Sequence, residues 1–273
     1  MLYPSAPGTA VFTNKYAKID YSNANEGYIT VTFEKTEKHC RIKLFRDDES
    51  IMYDMDNNPT VIPLNLGEGK YIIKTYLQAL EPIKYITTTP LEIDVKFREK
   101  DIMFKYPNQR VNYRSKSQVV IKAAQLCIGA KSQAEKLSRI YNFVFNNFIY
   151  DEELAFTVQT GYLPNPDKTL SLKKGICCDI ASMFAAMCRS QGLLVKYVTG
   201  YVKKASAKYP IYHAYNIIKI DNDIDLNGLF IKKNTFTRID LTFDITSKND
   251  KKLKQSFINF ISNPNNYQDR HFY

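Results

Sequence analysis

Gly175-Ile176-Cys177-Cys178-Asp179-Ile180-Ala181 is the stretch on which the reading of this chain depends. A glycine just ahead of an apolar-periodic run lets the backbone turn sharply into a helix, and this places Cys177 in the first helical turn. Unpaired amides and the positive end of the helix dipole favour negative charge on a side chain there. The run extends to Ser190 and stops at Gly192, a C-terminal helix signal. Helical spacing puts Cys177, Ala181, Phe184 and Cys188 on one face, and Cys178 is rotated from it by about 100°. Two sulfurs therefore compete for any nucleophilic role, and helix phase favours Cys177.

A thiol nucleophile needs a base, and the chain has three histidines. His39 lies in a strand-rich N-terminal part and His271 stands close to the last residue. His213 remains, within the strand Tyr212–Ile220. Asp240 follows in a stretch read as the strand Phe236–Phe243, between two apolar neighbours. A carboxylate in such surroundings needs a partner, and bonded to the imidazole it would fix tautomer and ring orientation. Spacing alone does not separate a triad from scattered structural residues, because a single histidine in a strand is usually structural.

Working outward, the first hundred residues alternate with period two. Ile29, Val31 and Phe33 alternate with Thr30 and Thr32; Leu91, Ile93, Val95 and Phe97 alternate with Glu92, Asp94 and Lys96. Further runs at Cys40–Leu44 and Tyr71–Leu77, with turns such as Leu66–Lys70, predict an antiparallel β-sandwich without helix. The period changes near residue 112. Helices are predicted over Ser115–Ala130 and Ser132–Phe148, the second opened by a Ser132–Glu135 capping box. After the Cys177 helix, strands are predicted at Leu194–Val202, Tyr212–Ile220, Phe230–Lys232 and Phe236–Phe243. The expected organisation is α+β: an Ig-like β-sandwich at 1–108 and a second domain at 109–273, joined near Pro107 and Asn108.

Composition narrows the classes. With 44% hydrophobic and 24% charged residues the chain is globular rather than disordered. No run of 18 apolar residues predicts a transmembrane helix. No signal peptide is read in the chain as it stands. The net charge of +10 fits anionic surfaces such as cell-wall polymers, or simply a solubilising surface; no nucleic-acid motif accompanies it. Five cysteines without paired spacing predict reduced thiols. Asp221-Asn-Asp-Ile-Asp225 fails as a calcium loop, since Leu226 and Lys232 stand where Gly and Glu are needed. Adjacent Cys177 and Cys178 lack zinc spacing, so no metal or other cofactor is expected.

Three segments carry a family resemblance. Lys174-Gly-Ile-Cys-Cys-Asp-Ile-Ala-Ser-Met-Phe184 resembles the nucleophile segment of the transglutaminase-like superfamily. Tyr212-His-Ala-Tyr215 resembles its His-Ala-Trp segment, and Ile239-Asp-Leu-Thr-Phe243 its Asp-Pro-Thr segment. Ile149-Tyr-Asp151 resembles the Tyr-Asp that precedes the catalytic loop. Along its length the chain is similar to transglutaminase-domain proteins of Gram-positive bacteria, chiefly clostridia. The resemblance implies a papain-like core with Cys177, His213 and Asp240 as catalytic triad, acting on protein or peptide carboxamides. It also implies an exported, envelope-associated protein whose leader has been removed; a cytoplasmic protein is the other expectation. Tyr215 and Leu241 depart from the family's Trp and Pro. The chain has no tryptophan, so the indole that helps hold the oxyanion in animal transglutaminases is absent. Gln159 or Tyr162 are the side chains expected to assist the Cys177 amide in that task. A non-catalytic surface or scaffold module is the other function class the sequence allows.

Overall fold

The alternating residues of the N-terminal part become strands β1 (Val11–Thr13), β2 (Ala17–Asp20), β3 (Tyr28–Phe33) and β4 (Cys40–Arg46). They are followed by β5 (Glu49–Met55), β6 (Thr60–Pro63), β7 (Gly69–Gln78), β8 (Tyr85–Thr87) and β9 (Leu91–Val95). The computed structural model describes residues 2–79, 81, 84–203 and 208–273. Its contacts form two units, Pro4–Gln109 and Arg110–Tyr273, the latter joined by a lead-in that ends at Tyr3. In the first unit one antiparallel sheet runs β1-β2-β3-β6 and a second runs β5-β4-β7, with β8 and β9 both pairing β7. Ile29 and Val31 of β3 and Ile42 and Leu44 of β4 are fully buried, while their alternates reach solvent. The Asn14 amide donates to Thr75 Oγ1 at 2.9 Å, tying the β1–β2 turn to the buried face of β7. Three details differ from the expectation. A short 3₁₀ turn, Ala24–Glu26, interrupts the strands, a second, Ile102–Lys105, follows them, and β9 ends at Val95, leaving Phe97 outside it.

The second unit opens with α1 (Gln118–Leu126) and α2 (Gln133–Asn147), each shorter than the periodicity predicts. Ser132 Oγ accepts the Glu135 amide at 3.1 Å, but the Glu135 carboxylate reaches back to Lys131 N rather than Ser132 N. The expected reciprocal box is therefore displaced by one residue. Next come β10 (Ile149–Tyr150), α3 (Glu152–Thr157), α4 (Pro166–Leu172), β11 (Lys174–Gly175) and α5 (Cys177–Ser190). β12 (Leu194–Val202), β13 (Ile211–Lys219), β14 (Ile224–Leu226), β15 (Leu229–Ile231) and β16 (Thr237–Ile239) follow. The chain then forms α6 (Leu241–Ser247), α7 (Lys251–Ser262) and β17 (Tyr267–Phe272). The central sheet runs β16-β13-β12-β17, antiparallel throughout, and α5 packs on β12 and β13. From Asp179 to Ser190 every residue of α5 is buried, so the helix forms the spine of this core. No helix among the described residues is long and apolar enough to cross a membrane.

The expected strand Phe236–Phe243 is the main correction. It ends at Ile239, and Leu241–Ser247 is helical despite three β-branched residues in seven. Burial of Leu241, Phe243 and Ile245 in the domain core outweighs their strand preference. The expected strand Phe230–Lys232 is one arm of the hairpin β14–β15.

Candidate active site

The start of α5 is held by its own third residue. Asp179 Oδ2 accepts the Ile176 amide at 3.1 Å, and Asp179 Oδ1 accepts the Tyr162 hydroxyl at 2.8 Å. Burial raises the Asp179 carboxyl above its usual range, opposed by these two donors. Gly175 is required by a close approach: a Cβ there would lie 2.7 Å from Asp179 Cβ. The glycine also pairs with Tyr150 across β10 and β11, and its carbonyl accepts the Asp151 amide at 3.1 Å. A small parallel ladder and a capping carboxylate thus fix the backbone from which Cys177 projects, half-buried.

His213 stands on β13 opposite Gly200 of β12 and is buried. Its Nε2 lies 2.8 Å from Asp240 Oδ2. A carboxylate only accepts, so Nε2 carries the proton. Cys177 lies close enough to the imidazole for its sulfur to favour the charged ring. Burial pulls the His213 pKa down, but Asp240 and then Cys177 outweigh it and raise the imidazole to about 10. Phe243 stacks on the ring at 5.2 Å and 21°, and Tyr215 at 6.0 Å and 28°. Asp240, with no exposed surface, occupies the N-cap position of α6 yet makes no capping bond. Its Oδ2 accepts instead from His213 and from the Tyr267 hydroxyl at 3.0 Å. Asp240 Oδ1 is buried with no hydrogen-bond partner among the described residues.

Cys177, His213 and Asp240, expected together from the sequence, therefore meet in one chain of contacts. The two other expected side chains are engaged elsewhere. Gln159 is exposed and donates to Thr157 O at 2.9 Å, and the Tyr162 hydroxyl is bound to Asp179. Cys178 begins the same helix, but burial of its thiol, then the neighbouring Cys177, raises its pKa far above the ordinary thiol value. Burial first, and then the charge of Cys177, pushes the Tyr150 hydroxyl up to about 12. Tyr267 and Phe243 are the contributors that sequence reasoning missed. Phe243 was placed in a strand, and Tyr267 stands in an Asn-rich segment with no period to flag it. No group of three or more His, Cys, Asp or Glu among the described residues is arranged to hold a metal ion.

Residues 122–228 match the family model of the transglutaminase-like superfamily, a span that includes Cys177 and His213 but ends before Asp240. The UPF0252 protein MJ1282 of Methanocaldococcus jannaschii is 25% identical over 126 residues, 43% of this chain. That match spans 36% of the relative's length, little more than a third. Among solved structures, a candidate cysteine protease from Cytophaga hutchinsonii is similar over 90% of this chain and 83% of its own, with 15% identity and a TM-score of 0.44. Red sea bream transglutaminase is similar over 81% of this chain and 48% of its own, with 10% identity and a TM-score of 0.35.

Proposed function

Residues 122–228 carry a transglutaminase-like core, and on that premise we propose that this chain is a thiol-dependent enzyme acting on protein or peptide carboxamides. Cys177 gives its thiol proton to the other ring nitrogen of His213, Nδ1, and its Sγ attacks the carboxamide carbonyl; the C–N bond breaks as Nδ1 passes that proton to the leaving amine. A thioester remains on Cys177. Its acyl group then goes to an amine or to water, with His213 taking the attacking group's proton and Cys177 leaving as the thiol-derived anion. Asp240 stabilises the imidazolium and holds its orientation. The Cys177 amide at the start of α5 would donate to the tetrahedral oxyanion.

The observation that carries this reading is the buried His213 held by the fully buried Asp240 carboxylate at 2.8 Å, with Cys177 close enough to favour the charged ring. The test presents glutamine-bearing proteins together with a fluorescent primary amine, and in parallel follows peptide cleavage. Amine incorporation that disappears in Cys177→Ala identifies transfer, and cleavage that disappears identifies hydrolysis. Neither activity, together with a Cys177 no more reactive than an ordinary thiol, returns the chain to the class of non-catalytic surface modules.

A further inference from the structure

Asp240 receives two hydrogen bonds, both on the same oxygen. Its other oxygen has none. The two carboxylate oxygens are chemically identical, so His213 alone does not decide which of them it meets or how the carboxylate plane is turned. The second donor does. Tyr267 belongs to β17, the strand that pairs with β12 across a register shift at Thr199/Gly200. A Cβ at Gly200 would lie 2.2 Å from Gln268 O, so only glycine lets β17 close on β12 at the register partner of His213. The Tyr267 ring is held on several sides. Tyr215 meets it edge-on at 4.8 Å, Phe260 packs at 5.7 Å, and the Arg238 guanidinium lies over it at 4.1 Å. A buried hydroxyl so constrained has little freedom to choose another acceptor.

We infer that Tyr267 is a positioning residue of this site, fixing the Asp240 carboxylate so that His213 keeps its geometry toward Cys177. The inference rests on the thiol reading of the site and extends it to a residue outside the 122–228 match. The test uses the full chain with Tyr267→Phe, which removes the hydroxyl and keeps the ring. Tyr71→Phe is the control, because that buried hydroxyl lies in the first unit and donates to Gly67 O. Three readouts are taken: the iodoacetamide rate at Cys177 against pH, melting temperature, and the proton resonance of His213 Nε2–H. Expected in Tyr267→Phe is a ten- to 100-fold slower alkylation, about the size of a lost hydrogen bond to a charged group, with a broadened Nε2–H signal and near-normal melting. Tyr71→Phe keeps the wild-type rate. Wild-type rates and an unbroadened resonance in Tyr267→Phe overturn the inference. A wild-type Cys177 that reacts like a free thiol overturns the proposed chemistry, while the Nε2–H signal still decides the role of Tyr267. If Tyr267→Phe does not fold, 3-fluorotyrosine at 267 replaces it. As a stronger donor it shifts the Nε2–H resonance, and an unshifted signal overturns the inference.

Discussion

Two adjacent half-buried thiols open α5. The Cys178 thiol is pushed up by burial, and burial likewise raises Cys40, Cys127 and Cys188. Iodoacetamide at neutral pH should therefore label Cys177 first, read by fragment mass spectrometry. Cys177→Ala should lose the fast label and Cys178→Ala should keep it; equal loss from Cys178→Ala would reassign the nucleophile. Titration offers a second check. His213 is raised to about 10, and Asp244, buried one turn after Asp240 and bonded by the Tyr141 hydroxyl at 2.9 Å, is raised to about 7, chiefly by burial. Both folded values exceed the unfolded ones, near 6.5 and 3.9. The native state thus binds more protons, and stability falls as pH rises. The Asp244 contribution is lost between about pH 4 and 7, and that of His213 between about pH 6.5 and 10. Asp244→Asn, whose amide oxygen can still accept from Tyr141, should raise the melting temperature above pH 7 and change little at pH 4. The opposite order would place Asp244 as an ion-pair partner. At this scale Cys177, His213 and Asp240 could be named in the sequence because each sits in a segment that resembles a family motif; their spacing alone did not single them out. Tyr267 could not, because one tyrosine among asparagines has no periodicity and its partner is distant in sequence.

At the scale of elements, the start of α5 is the most exacting joint in the second unit. Gly175→Ala forces a Cβ to within 2.7 Å of Asp179 Cβ, so either the helix start or the β10–β11 ladder must give way. The expected cost is about 1–3 kcal/mol, the range for overpacking, with a larger loss of Cys177 reactivity than of stability. Urea unfolding and alkylation of the same variant separate the two, and a fully reactive, stable protein would show the contact to be soft. Sequence periodicity read α5 with its bounds because apolar residues continue through it and Gly192 stops it. It misread α6, since Leu-Thr-Phe-Asp-Ile-Thr-Ser has a strand-like composition. What makes it helical is the burial of Leu241, Phe243 and Ile245, information held by the rest of the fold. That misreading also hid the way Asp240 works, as an N-cap residue whose carboxylate is turned away from its own helix toward His213.

At the scale of the whole molecule, the contacts divide the chain at Gln109/Arg110, and the period of the sequence changes near residue 112. Ile42 and Leu44 are fully buried within the first unit, and Ile180 and Phe184 within the second. Each unit therefore has the apolar interior that independent folding requires. Residues 110–273 expressed alone should melt cooperatively and keep the fast Cys177 label. A non-cooperative transition would mean that the sandwich is needed to complete the second core. The pairing of the sheets was less legible than the division. The order β16-β13-β12-β17 joins strands distant in sequence, and no local pattern encodes which edge receives β17.

The place of β17 has a consequence during synthesis. The thiol of residue 177, the imidazole of 213 and the carboxylate of 240 all leave the ribosome before the strand that closes the sheet beside them. At about 5–20 residues per second, a nascent chain spends seconds with its sulfur made but the seat of its carboxylate unfinished. Glycine at 200 keeps the groove open for the late strand to enter. A chain halted short of Tyr267 lacks the hydroxyl that meets Asp240 Oδ2, so on the inference above its thiol would react more slowly than that of a chain carrying the strand.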